Sequence, residues 1–317
     1  MGKRYTGEEA IRQLNLRVEK KTQQAVDLCK EGGELDVTYK RVLDYKFDGV
    51  WAGRPIYVSR PRFPTYLISG GAISVIIYQA KEMNLPLQYL GAAAVMSYLN
   101  YDFFSGVLHV ALDDPRNIKL PFIGQAALEF QWHHAIPTDL VDKDFMDVIG
   151  DLNIAAFPIL AANMIVMDYG RNRMMAIFMA MKLLMAYFGQ FSHREAHNIR
   201  AGKFSQLLQK VGLMISVKDH KAHHQPPHED DFCLIGVCNH VLQVMFKLAG
   251  HFQYAWLAFF ILSCIFDNYI LSVMLNHLAV NVSSKDSVET WHGGADSGLP
   301  YLYGSLVGSN NNSSFAF

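Results

Sequence analysis

The apolar positions of the chain are bunched into a few long runs. Four stretches, roughly 64–80, 86–112, 148–169 and 174–192, are rich in apolar residues. A bilayer core asks for about 20 such residues, or about 17 in a short or tilted helix. The four therefore predict membrane-spanning helices. The third is the weakest, because Asp147, Asp151 and Asp168 leave only Ile154–Met167 free of charge; a buried helix of a soluble protein is the alternative there. A fifth apolar region, 252–282, is interrupted by Asp267-Asn268 and reads either as one tilted span or as two half-length helices in a hairpin. Ahead of the first stretch, Ile11, Leu14, Val18 and Val26 give 7–31 a rough helical periodicity. Trp51 and Tyr57 suit a membrane interface. The Gly-, Ser- and Asn-rich end, with Ser309-Asn310-Asn311-Asn312, predicts a flexible tail.

The pattern predicts an all-α integral membrane protein with about four transmembrane helices and a cytosolic histidine-rich cap. Its divisions are a cytosolic N-terminal region at 1–63, a central domain at 64–245, an additional hydrophobic region at 246–284 and the tail at 285–317. Charge supports the sidedness. Thirteen Lys and Arg precede residue 64, whereas the two loops expected on the opposite side carry only Lys81, Arg171 and Arg173. Positive residues collect on the cytosolic side of spanning helices.

The remaining composition removes alternatives. A net charge of −1 and a mean hydropathy of +0.09 give nothing that points to nucleic acid. Cys29, Cys233, Cys238 and Cys264 form no CxxC pair, which argues against a disulfide framework or a thiolate zinc site. The first residues include Glu8, Glu9 and Glu19 and no apolar core, so neither a secretory signal nor an acid-poor transit peptide is expected. The small-residue runs Ser69-Gly70-Gly71-Ala72 and Gly91-Ala92-Ala93-Ala94 suit close helix packing, or a lipid groove as the alternative.

Chemistry concentrates in histidine. Eight of 13 histidines fall into four clusters at the ends of apolar stretches: His109 with Asp113, His133-His134, His193 with His197, and His220 with His223-His224. On a helix, spacings of three and four place two imidazoles on one face. Imidazole is a ligand for iron, copper and zinc. Eight nitrogen donors exceed the needs of one four-coordinate zinc and suit two metal ions. A nitrogen-rich set with few carboxylates fits iron, with copper, zinc or manganese as alternatives. Asp113 is the candidate catalytic carboxylate, either a direct ligand or the acceptor that orients an imidazole N–H. His240, His251, His277 and His292 stand outside the clusters and read as surface or capping residues. A transporter would place ionisable groups mid-span rather than at span ends. A haem carrier with paired axial histidines is a further alternative.

Four ordered blocks carry a family resemblance. Asp102-Phe103-Phe104-Ser105-Gly106-Val107-Leu108-His109, Phe130-Gln131-Trp132-His133-His134 and Gln190-Phe191-Ser192-His193-Arg194-Glu195-Ala196-His197 form three of them. The fourth runs from His220-Lys221-Ala222-His223-His224 through Phe232-Cys233-Leu234 to Gly236-Val237-Cys238-Asn239. Together they resemble the membrane lipid desaturases that include Kua, the plasmanylethanolamine desaturases and the plant plastid desaturase of phosphatidylglycerol palmitate. The resemblance covers about 64–245. It implies two iron ions held by His109, His133, His134, His193, His197, His220, His223 and His224. O2 would be the oxidant and a membrane lipid chain the substrate, such as plasmanylethanolamine converted to its vinyl ether. A fatty-acyl desaturase of phospholipid and a di-iron lipid hydroxylase are the alternatives. No GxGxxG fingerprint occurs, so electrons come from outside: cytochrome b5 and its reductase in the endoplasmic reticulum membrane, the expected location, or ferredoxin in a plastid. The pattern departs at Val110, where many relatives place tryptophan, and at Ile149, where some carry asparagine.

Overall fold

A computed structural model describes residues 60–282, apart from 115, 118, 119, 122, 136, 138, 143, 168, 170, 171, 225–230 and 251. The expected helix at 7–31, Trp51, Tyr57, His251, His292 and the tail lie outside the described residues. Helices follow in the order α1 (Phe63–Glu82), α2 (Leu87–Asp113), α3 (Gly124–Ala135), α4 (Asp139–Asp142) and α5 (Phe145–Val166). Then come α6 (Arg173–His197), α7 (Lys203–Lys210), α8 (Val217–His223), α9 (Asn239–Ala249) and α10 (Gln253–Val282). No strand occurs among the described residues.

Among the described residues, four helices are able by length and composition to cross a membrane: α1, α5, α6, and α10 as far as His277. The all-α, multi-pass class therefore stands, but the membership of the four differs from the expected set. Although α2 has 27 residues, Gln88, Asn100, Asp102 and His109 dilute its apolar content and it is not among them. In its place stands α10, one continuous helix of 30 residues rather than a hairpin.

The ends of these helices follow from local chemistry. After α1, Asn84 adopts a left-handed φ of 46° and Leu85 N–H reaches back to the Ala80 carbonyl at 2.9 Å, which satisfies a terminal acceptor. Pro86 lacks the N–H needed to continue that helix, and α2 begins beyond it. Gly212 ends α7 at φ 76°, with Leu213 N–H on the Leu208 carbonyl at 2.9 Å and Gly212 N–H on that of Gln209 at 3.3 Å. This is the paired closure of a glycine-terminated helix. At the start of α8 the Ser216 hydroxyl accepts from Asp219 N–H at 3.1 Å, an N-cap bond.

The chain divides into two compact units. Among the described residues, one comprises 60–65, 102–151 and 187–260; the other 66–101, 152–186 and 261–282. In the first, Val107, Val110, Phe232, Cys233, Leu242, Phe246 and Trp256 form a buried core. Val110, the departure from the family pattern, belongs to it. Arg60 fastens the start of the described chain to α5, its backbone N–H donating to Asp147 at 2.9 Å and its guanidinium to Asp151 at 2.5 Å.

The second unit has its own core around Ala93, Met174, Ile177, Phe178, Met181, Leu271 and Leu275. Ala72 and Ala93 are buried there, whereas Gly70, Gly71 and Gly91 face open space. The expected close packing thus falls on the alanines, not on the glycines. Asp267, which was to interrupt α10, is buried and paired. It accepts from Lys182 Nζ at 2.6 Å and from Asn100 Nδ2 at 2.8 Å, and its other oxygen takes Asn268 N–H at 2.8 Å. A helix keeps an acid in an apolar setting when the charge is paired and its lone pairs are bonded.

Candidate metal centre

Four helices of the first unit supply the clustered histidines. His109 and Asp113 lie one turn apart near the end of α2. His133 and His134 close α3, and His193 and His197 share a face at the end of α6. The Ser216 cap sets α8 so that His220 and His223 point inward while Lys221 and Ala222 stay exposed. Arg194, between the two α6 histidines, fixes the surrounding chain. Its guanidinium donates to the Leu140 carbonyl at 3.3 Å and the Val141 carbonyl at 3.2 Å, and stands over the Phe145 ring.

All eight histidines converge, and none is exposed. One donor group comprises His133, His193, His197, His220 and His224, with a ligand atom of each within 4.8 Å of the others. A second comprises His109, Asp113 and His223. His134 belongs to neither group but meets Asp113 Oδ1 through its Nε2 at 2.9 Å. Asp113 Oδ2 lies 3.4 Å from His223 Nε2, so the carboxylate bridges two clusters.

Three contacts test whether a cation fits. His197 Nε2 lies 2.9 Å from His133 Nε2 and 2.7 Å from His220 Nε2, and His220 Nε2 lies 3.2 Å from His224 Nε2. A ring nitrogen carries either one proton or one in-plane lone pair. Hydrogen bonding accounts for one of the two contacts at His197 Nε2, not both. At metal–imidazole bonds of about 2.0–2.1 Å, adjacent ligand nitrogens stand roughly 3 Å apart, which matches the observed spacing. His109 Nε2 and His193 Nε2 are buried without a hydrogen-bond partner. The donor set fits metal.

Electrostatics agrees. Burial, reinforced by the neighbouring imidazoles, pushes His133, His220 and His224 well below the usual histidine range. They are therefore neutral, the form that ligates metal. Burial alone would raise the Asp113 carboxyl, but the adjoining His134 and His223 hold it well below the usual carboxylate range. Phe130 packs edge-on to the His109 ring at 4.9 Å and Phe232 to that of His223 at 5.3 Å. These are apolar walls against water.

One residue with a part in this arrangement had no role assigned from sequence. Asp102, two turns before His109 on α2, is fully buried. Its Oδ1 accepts from Ile235 N–H and Gly236 N–H, each at 2.9 Å, and its Oδ2 from Cys238 N–H at 2.6 Å. Ser105 Oγ accepts from Leu234 N–H at 3.0 Å. The segment that follows the α8 histidines is thereby clasped to the helix that carries His109. The only sequence signal is an acid at the head of the first block and a glycine-containing loop in the last. Among the unclustered histidines, His240 and His277 are exposed, as expected.

A family model described as the lipid desaturase domain matches residues 98–255. Fatty acid desaturase 4-like 1, chloroplastic, of Arabidopsis thaliana is 29% identical over 155 residues, 47% of this chain and 51% of the relative. Plasmanylethanolamine desaturase 1 of Mus musculus is 27% identical over 179 residues, 54% of this chain and 65% of the relative. Plasmanylethanolamine desaturase of Myxococcus xanthus is 23% identical over 145 residues, 45% of this chain and 52% of the relative. The chain thus spans about half the length of the plant and bacterial relatives and somewhat under two thirds of the mouse one. No solved structure matches it. The matched region holds every clustered histidine together with Asp102 and Asp113, and through it the chain belongs to the lipid desaturase family.

Proposed function

We propose that the chain is a di-iron, O2-dependent desaturase that introduces a double bond into a membrane lipid chain, converting plasmanylethanolamine to plasmenylethanolamine. The observation that carries this reading is the convergence of eight shielded imidazoles and one carboxylate within the lipid desaturase domain. His133, His193, His197, His220 and His224 would hold one iron. His109, Asp113 and His223 would hold the other, with His134 beside them. Bound iron and O2 supply the oxidant that an unactivated alkyl C–H bond requires and that no side chain provides.

The protein's own groups do the rest. Burial keeps His133, His220 and His224 neutral and ready to ligate. Asp113 orients His134 and His223. Phe130 and Phe232 keep water from the rings they cover. The reaction balances when the lipid gives up two hydrogens with their electrons. O2 takes these together with two further electrons and two protons and leaves as two waters. The further electrons would come from an outside donor: cytochrome b5 with its reductase in the endoplasmic reticulum membrane, or ferredoxin in a plastid membrane.

A second reading, desaturation of a phospholipid acyl chain, is favoured by the likeness to the Arabidopsis fatty acid desaturase 4-like protein. Expression in cells that lack plasmalogens, followed by mass spectrometry of their lipids, separates the two. A vinyl ether is the expected product. A new acyl double bond instead would support the second reading, and a hydroxylated lipid would reject desaturation. His223→Ala is expected to abolish product and lower iron content, whereas the exposed His240→Ala does neither.

A further inference from the structure

Two short helices of the first unit carry apolar stripes that nothing among the described residues covers. On α7 and its C-cap residue, Phe204, Leu207 and Val211 are 68%, 54% and 57% exposed. They recur at i, i+3 and i+7 and so form one line along the helix. Ser205 faces inward, and the exposed Lys203, Gln206 and Lys210 run alongside the stripe. On α9, Asn239, Leu242 and Phe246 face the interior, while Val241, Val244 and Leu248 line the outer face at 56%, 47% and 85% exposure. His240 and Lys247 edge that stripe and are exposed. Six large apolar side chains left in water at this spacing mark an interaction surface.

We propose that α7 and α9 lie in the plane of the membrane surface. Their stripes sit among the headgroups and upper acyl carbons, and Lys203, Lys210 and Lys247 meet anionic lipid phosphates. Tether length supports a bilayer as the occupant. Lys203 follows His197, the last residue of a candidate span, by six residues, a reach of at most about 20 Å. Ala249 precedes Gln253, the first residue of another, by four, or at most about 14 Å. Neither helix can stray far from the lipid surface. Charge agrees as well. The side chains flanking the stripes are basic or neutral, as in helices that lie on membranes and attract anionic lipids. A protein partner would have to displace lipid from both.

The test uses the full chain in lipid nanodiscs of phosphatidylcholine with phosphatidylserine. A photoreactive benzoylphenylalanine is placed in turn at Phe204, Leu207, Val244 and Leu248, with Gln206 as the polar control. Mass spectrometry then identifies the photoadducts. Lipid adducts at the four apolar sites, at least tenfold above the control, are expected. Adducts between two copies of the chain, adducts to residues 1–59, or no adduct on a folded protein would each overturn the proposal. In Lys203→Glu/Lys210→Glu the lipid adduct at Leu207 should fall severalfold with phosphatidylserine present and stay unchanged in phosphatidylcholine alone. Equal yields in both would overturn the assignment of anionic lipid to these lysines.

Discussion

Asp102 offers the most direct test of how the metal centre is held. Its carboxylate receives three backbone N–H groups from the segment 235–238, at 2.9, 2.9 and 2.6 Å. In Asp102→Asn one carbonyl oxygen remains for Ile235 and Gly236, but an NH2 group faces the Cys238 N–H and leaves it without an acceptor. A buried donor so stranded costs about 1–3 kcal/mol. Asp102→Ala strands all three, about 3–9 kcal/mol before the relief of no longer burying a carboxylate is subtracted. Against a total stability of about 5–15 kcal/mol, the alanine variant loses much of what the unit has, whereas the asparagine variant stays folded with a loosened loop.

That difference makes Asp102→Asn the informative variant. Hydrogen–deuterium exchange read on peptides covering 231–239 should show faster exchange by about 5- to 150-fold, the rate equivalent of 1–3 kcal/mol of local opening. Peptides from α9 should be unaffected. Because Phe232 lies against the His223 ring, the loosened segment also exposes that ring, and metal retained after dialysis against chelator should fall. Wild-type exchange across 231–239 would refute the clasp. Acceleration spread evenly over α9 would refute it too, since that pattern reports global rather than local opening.

Other outcomes follow from single contacts. In Gly106→Ala the added Cβ would lie 2.4 Å from Leu242 Cδ2 and 2.6 Å from Cys233 Sγ; such overpacking typically costs about 1–3 kcal/mol. A lowered melting temperature is expected, and an unchanged one would show that the two side chains yield freely. Asp113→Asn removes the charge that holds His134 and His223, and partners of this kind are worth about 10- to 100-fold in metal affinity. Metal content after competition with a chelator measures it, and equal retention would sink the role. Lys182→Met strands the buried Asp267, at a cost of about 3–5 kcal/mol, whereas Lys182→Met with Asp267→Leu costs less than the single change. Melting in detergent decides, and simple additivity would refute the pairing.

Much of this fold was legible because helices announce themselves locally. The expected stretches at 64–80, 86–112, 148–169 and 174–192 meet α1, α2, α5 and α6 within a few residues at most ends, because runs of apolar residues and the breaks between them are properties of neighbours in the chain. Sequence spacing likewise put the histidine pairs of α6 and α8 on common faces. What escaped depends on distant partners. Asp267 counts as an interruption in any local reading of 252–282, and only Lys182, 85 positions earlier, turns it into a paired group inside a continuous helix. Asp102 escaped for another reason. Its partners are backbone N–H groups, which every segment has and no composition reveals.

The same dependence explains why the centre needs the whole first unit. No one segment supplies more than three imidazoles, so five donors within 4.8 Å exist only when α3, α6 and α8 have docked. Docking takes those rings out of water and leaves nitrogens such as His109 Nε2 and His193 Nε2 with no hydrogen-bond partner. Each unsatisfied buried group costs about 1–3 kcal/mol. Hydrogen bonds remove only part of that cost, because each Nε2 of His133, His197, His220 and His224 offers either one proton or one lone pair and the contacts outnumber what these can pair. Coordination would remove it, since cations held by the two donor groups would accept these lone pairs. Metal binding and folding of the first unit would for this reason be one equilibrium. The clasp by Asp102 and the Arg194 bonds to Leu140 and Val141 lie on the protein side of it, lowering the cost of gathering the rings before any metal arrives.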